Sequence, residues 1–353
     1  AGANCAPAEV GLAGSQIGIN YQLYRDGFSL GPPLPGTGSA LTFGLQPAGN
    51  YLVIASNELT LCRDTMPGRA TITDGPEVNA GPDASVCASH TLQLSATATN
   101  FSTIEWSSTG DGLFSDVYIL NPVYLPGPAD ILNGTTQLIA KVSGSPACQH
   151  VTTYDTVLVT IDPFPTADAG PNDTICTTGT LSLYGSAQHY SGVLWSSSGD
   201  GTFDNAITLN PVYTPGPMDI QNGSAVLKML VHGSAACQND TISDQTTVLI
   251  EPLPVASAGP DDTICENWSY RLSGSALHHS VMQWTTLGDG TFDNPSLPDA
   301  SYSAGPQDKI IGFARLVLYA SGTASCAAEV ARDNIRNTIQ KLHIMENKKL
   351  KTL

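Results

Sequence analysis

Residues 176–203 read CTTGTLSLYGSAQHYSGVLWSSSGDGTF, and the same arrangement occurs twice more in the chain, in register. Cys87, Cys176 and Cys265 lie 89 residues apart, as do Trp106, Trp195 and Trp284 and, further on, Cys148, Cys237 and Cys326. Each copy opens on Ala-Gly-Pro followed by Asp or Asn (Gly81, Gly170, Gly259). Each then carries Gly-Asp-Gly shortly before a Phe, and later a Tyr and a Gly-Pro (Tyr124/Gly127/Pro128, Tyr213/Gly216/Pro217, Tyr302/Gly305/Pro306). A fixed period without insertions marks a copied folding unit, so the repeat decides the architecture.

Inside one repeat, Thr91-Leu92-Gln93-Leu94, the Trp106 segment, the Tyr124 segment, 137–142 and 156–161 are short apolar or β-branched runs, with turn residues about every ten positions. That pattern predicts an antiparallel β-sandwich with Trp106, Trp195 and Trp284 as core plugs. Residues 1–75 lack the repeat motifs. Tyr21 to Tyr24, a turn at Asp26-Gly27, Leu41 to Phe43 and Tyr51 to Ala55 still read as half-buried strands. The predicted fold is therefore all-β, a tandem array of four β-sandwiches.

Gly75-Pro76, Pro163-Phe164-Pro165 and Pro252-Leu253-Pro254 mark the joints, because proline fixes φ and extends the residue before it. The expected division is 1–75, 76–164, 165–253 and 254–344, followed by a basic tail at 345–353. Stiff joints between four sandwiches predict an extended rod, about 150 Å long at roughly 40 Å per sandwich. Asn334 to Ile339 reads as a poorer strand than its counterparts. That weakness and the tail suggest a docking segment for a neighbour.

Hydrophobic residues make up 41% of the 353, enough for cores, while the net charge of −17 opposes binding to a nucleic-acid backbone or an anionic membrane by charge. No apolar run approaches the ~18 residues of a membrane span. Ala1 is expected to be a mature end left by cleavage or a fragment boundary. The eight cysteines, Cys5 and Cys62 in the first segment and one pair per repeat, show no metal-type spacing such as Cys-x-x-Cys. One disulfide per unit is expected, closing a loop of about 60 residues and contributing about 4 kcal/mol, in an oxidising compartment.

Catalytic motifs are missing: there is no Gly-x-Ser-x-Gly, no His-Glu-x-x-His and no phosphate loop, and the seven histidines are scattered. The chain is expected not to be an enzyme and to need no cofactor. Asp111, Asp200 and Asp289 of the Gly-Asp-Gly sequences, with Asp116, Asp204 and Asp293 beyond them, could offer oxygen ligands to Ca²⁺. The favoured reading is that Asp-Gly supplies the positive φ of a hairpin turn before Phe114, Phe203 and Phe292. Trp268 lies outside the tryptophan register and is a candidate exposed aromatic.

The pattern AGPDxTIC…LxGSA…WSSxGDGTFDN…LNPxYTPGPxDI…C…TVLI resembles the PKD-like and Ig-like repeats of very large secreted surface proteins of Bacteroidetes. The first segment, with GSQIGINYQLYRDG, GTGSALTFG and GNYLVIASN, resembles another repeat of the same proteins. Gliding-motility adhesins and other surface filaments exported by the type IX pathway belong to that group. The resemblance implies PKD-like or Ig-like modules in a cell-surface stalk, filament or adhesin. Asp-Thr followed by an apolar residue, at Thr65, Thr156, Thr174, Thr241 and Thr263, resembles the O-glycosylation signal of that phylum. The function expected is that of an extracellular structural or adhesive element that self-associates head to tail, with surface glycans or other surface proteins as further partners. The alternatives are an array of carbohydrate-binding modules or the non-catalytic repeats of a secreted hydrolase.

Overall fold

The computed structural model describes residues 3–341. Each repeat is built around its two longest strands. In Thr135–Gly144 alternate residues are apolar or small, and Thr136, Leu138, Ala140, Val142 and Gly144 are the buried set, the period-two signature of a sheet with one face on a core. It pairs antiparallel with Thr152–Asp162, whose Val157, Val159 and Ile161 face the same core. Phe101–Ser108 adds Ile104 and Trp106 on the outer side of Thr135–Gly144. Ala84–Cys87 runs parallel to the end of Thr152–Asp162, with Cys87 opposite Asp162.

Against this four-stranded sheet stand two smaller ones. Leu92–Gln93, Val123–Leu125 and Leu113–Phe114 form a three-stranded sheet, and Glu77–Asn79 pairs with Thr97–Thr99. Trp106 and Tyr124 are buried between the layers with Phe114 between them, ring centroids 6.0 and 4.9 Å away. A one-and-a-half-turn helix, α1 (Pro128–Asn133), follows, with Pro at its first position and Gly134 in the left-handed conformation that ends it. The next two repeats reproduce every element, with α2 (Pro217–Asn222) and α3 (Pro306–Ile311) in the same place.

The first segment reaches the same plan with other residues. Its main sheet runs in the order Ala3–Cys5, Ala70–Thr73, Gly49–Ser56, Asn20–Arg25, Phe28–Pro35, and Ala8–Leu12 pairs with Leu41–Gln46. Tyr21, Leu23, Tyr51, Val53 and Ile72 form its core. The chain is all-β, of tandem Ig-like organisation. Its residues gather into two compact units: one runs through Phe164 and takes in Ser234–Asn239, and the other holds Pro165–Gly233 and the chain from Asp240 on. Among the described residues no helix is long and apolar enough to cross a membrane.

One expectation changes here. The segment Asn334 to Ile339 is not a weak strand, for it lies within Val330–Gln340, as long as its counterparts and paired over nine residues with Phe313–Gly322. Asn337 occupies a buried apolar position of the pattern, and its side-chain oxygen accepts the Asp262 N–H at 3.1 Å. One edge of this strand is paired with Phe313–Gly322, and on the other Thr338 to Gln340 pair with Thr263–Cys265. The basic tail, 345–353, lies outside the described residues.

Candidate functional site: the cystine staples and the Tyr-Asp knot

Gly-Asp-Gly and Tyr-x-x-Gly-Pro-x-Asp form one knot in each repeat. Asp130 is 1% exposed, yet its Oδ2 accepts the Tyr124 hydroxyl at 2.5 Å and the backbone N–H groups of Gly112 and Gly127 at 2.9 and 3.1 Å. Burial pushes its carboxyl upward, but those donors and Thr136 outweigh it and hold the group below its ordinary value. The same burial, together with Asp130, raises the Tyr124 hydroxyl above its ordinary range. Asp219 repeats the arrangement with Tyr213 at 2.6 Å and Gly201 at 2.7 Å, and Asp308 does so with Tyr302.

The glycines of the motif are there for room. Neither they nor Asp111 have positive φ, which corrects the turn reading of Gly-Asp-Gly. A Cβ on Gly110 would stand 1.5 Å from Asp130 Oδ1, and one on Gly112 would stand 2.2 Å from the Tyr124 hydroxyl oxygen. Asp111 turns both carboxylate oxygens to the first turn of α1, accepting the Ala129 N–H at 3.0 and 3.1 Å. Asp200 and Asp289 do the same for Met218 and Gln307. At Asp289 the Gln307 N–H holds the carboxyl low. Asp116, Asp204 and Asp293 likewise accept backbone N–H groups two, one and one residues on. Among the described residues no third acidic, His or Cys ligand gathers at Asp111, Asp200 or Asp289.

The cysteines pair differently from the one-per-unit expectation. Cys5 bonds Cys148, Cys87 bonds Cys237 and Cys176 bonds Cys326, with Cα separations of 4.8, 4.9 and 4.9 Å. Cys62 and Cys265 are free and exposed. The reason is strand length. Cys87 sits opposite the last residue of Thr152–Asp162, while Cys148 ends a 3₁₀ turn, Pro146–Cys148, just before its first. Eleven residues of strand put roughly 30 Å between the two ends, and a disulfide needs Cα atoms within about 7 Å. Each strand cysteine therefore reaches the turn of the following repeat, and three staples overlap along the chain.

Polar contacts seat each staple. Cys148 Sγ lies 3.4 Å from the Asp74 carbonyl oxygen, and Cys237 Sγ lies 3.4 Å from that of Asp162. The Asp162 carboxylate accepts the Ala236 N–H at 2.9 Å, and that of Glu251 accepts the Ser325 N–H at 2.9 Å. At the last staple Ser325 Oγ also donates to the Thr174 carbonyl, and Thr178 Oγ1 to Glu329, both at 2.9 Å.

Trp106, Trp195 and Trp284 are 2%, 3% and 1% exposed, whereas Trp268 is 75% exposed, three residues past Cys265. Thr65, Thr156, Thr241 and Thr263 are exposed and Thr174 is half-buried. Asp130, Asp219 and Asp308 were passed over in the sequence, although each stands three residues after the repeated Gly of Gly-Pro.

No family model matches the chain, and no curated protein sequence matches it. Among solved structures, the I-band fragment I67-I69 from titin is similar over 76% of this chain and 99% of its own, at 11% identity and a TM-score of 0.43. Protocadherin Gamma B7 extracellular cadherin domains 1–4 is similar over 90% of this chain and 91% of its own, at 10% identity and 0.45. Sidekick-1 immunoglobulin domains 1–4 is similar over 97% and 96%, at 11% and 0.30. The likeness is one of fold class alone.

Proposed function

We propose that this chain is an extracellular structural or adhesive element, a subunit or stalk segment of a bacterial surface filament or adhesin. Its modules are the four sandwiches 1–75, 76–164, 165–253 and 254–344, and its work is mechanical. One observation carries the reading: all three disulfides cross from one module to the next, so the covalent reinforcement falls on the joints. Disulfides persist in oxidising surroundings, which supports an extracellular place for the chain. The Bacteroidetes-like repeat pattern supports the same class of surface protein, and the exposed Asp-Thr sites suit its glycosylation signal. Neither catalysis nor a cofactor has a part in this reading.

Negative-stain imaging of the native protein tests it. Extended particles or fibres are the expected result. Compact single particles that keep their shape after reduction would remove the mechanical role.

A further inference from the structure

Every closed staple has two halves. One is a strand cysteine, the last residue of a unit's edge strand: Cys5, Cys87 or Cys176. The other is a turn cysteine, Cys148, Cys237 or Cys326, between the two longest strands of the repeat one further on. Cys265 is a strand half. It ends Thr263–Cys265 and stands opposite Gln340, as Cys176 stands opposite Glu251. Cys62 is a turn half. It lies between Gly49–Ser56 and Arg63–Thr65, and Gly49–Ser56 is flanked by Ala70–Thr73 and Asn20–Arg25 as Thr135–Gly144 is flanked by Thr152–Asp162 and Phe101–Ser108. The chain thus carries one unmatched half of each kind.

The surroundings of the two thiols match as well. The six bonded cysteines that complete staples lie in seated joints, whereas Cys62 and Cys265 are exposed beside bare apolar side chains. Leu59 and Leu61 flank Cys62 at 96% and 83% exposure, and Trp268 stands by Cys265 at 75%. At the Cys176–Cys326 staple the residues around the strand cysteine, Thr174 and Thr178, are the ones that meet the incoming turn. Eighty-nine residues on, the corresponding positions at Cys265 are Thr263 and Asn267, with Trp268 next in the chain.

We propose that Cys265 of one copy and Cys62 of the next form a fourth staple, joining copies head to tail with Trp268 covered by Leu59 and Leu61. A second copy supplies the two halves in equal number. The inference rests on the assembling surface element proposed above and names its joint. Closing the bond removes two protons and two electrons from the thiols, so an oxidant is required, and a small-molecule disulfide serves. One thiolate attacks it and releases one thiol. The other thiolate then attacks the resulting mixed disulfide and releases the second.

The test uses the full chain with oxidised glutathione, wild type and the variants Cys62→Ser and Cys265→Ser, on non-reducing gels. Wild type is expected to give a ladder, each variant alone to stay monomeric, and an equimolar mixture of the two to stop at dimer. With one variant labelled with ¹⁵N, the linking peptide should join Cys62 of one isotope to Cys265 of the other. Monomers with both thiols capped by glutathione, a Cys62–Cys265 bond within one copy, a different partner for Cys265, or equal dimer yields from single variants and the mixture would each overturn the joint. Imaging separates the two proposals. Fibres that persist in the double variant leave the filament standing without the covalent joint, and a ladder without fibres does the reverse.

Discussion

At the scale of single residues, the Tyr-Asp knot sets how each repeat tolerates change and pH. Asp130 is a buried carboxylate held by three donors, so Tyr124→Phe leaves a desolvated oxygen short of its strongest partner and should cost about 1–3 kcal/mol. Hydrogen exchange of the 76–164 amides at pH 7 checks this, and exchange should rise there and not in 254–341. The pH dependence follows from direction. Asp130 is held below its ordinary value of 3.8, so its contribution is complete above that pH and vanishes as pH falls through the lower folded value. Tyr124 is raised above 10.0, so its share is complete below pH 10 and is lost at still higher pH. Melting temperature followed from pH 2 to 11 should therefore drop on both flanks, and the acid drop should shrink in Asp130→Asn, which starts from lower stability. Gly110→Ala should be worse than either, because its methyl group would enter the carboxylate itself.

At the scale of elements, the staples hold strand ends, and their loss should be local before it is global. Pairing Cys87→Ser with Cys237→Ser removes the covalent bond that seats Ser234–Asn239 and leaves non-covalent contacts such as the Ala236 N–H to the Asp162 carboxylate. Amides of 234–239 should then exchange at least tenfold faster while those of Ser224–Gly233 stay protected by Thr241–Glu251. Equal protection with and without the bond would show that packing alone seats the turn. Much of this level was legible in the sequence. The alternation in Thr135–Gly144 and the fixed tryptophan register give the sandwich, its buried face and its period. The cystine pairing was not legible, because a shared period of 89 fits Cys87 with Cys148 as well as with Cys237. Only the parallel pairing of Ala84–Cys87 with the far end of Thr152–Asp162 separates the two. Likewise the polar spelling of Asn334 to Ile339 hid a strand whose formation is dictated by its two neighbours, an override of local preference by the sheet.

At the scale of the whole molecule, overlapping staples change how the chain carries tension. Between Cys5 and Cys326 the shortest covalent route passes through the Cys5–Cys148 bond, along the chain to Cys176, and through the Cys176–Cys326 bond. Fully extended at about 3.5 Å per residue, that route measures roughly 100 Å, whereas the unstapled chain between the same cysteines measures roughly 1,100 Å. Unfolding a repeat can therefore release almost no length while the bonds are intact, whatever the stability of its sandwich. Each loop of about 150 residues, taken singly, also restricts the unfolded chain by about 5 kcal/mol on the entropic model, so reduction should weaken the chain thermally as well. Single-molecule pulling from handles at the two ends distinguishes the cases. Oxidised molecules should lengthen by no more than the short route and the residues outside Cys5 and Cys326 allow until a covalent bond breaks. After reduction they should show successive unfolding steps, each releasing most of a module of about 75–91 residues, or roughly 250–300 Å. Steps of that size in the oxidised protein would mean that tension bypasses the staples, and the joints would then have some other purpose than holding length under load.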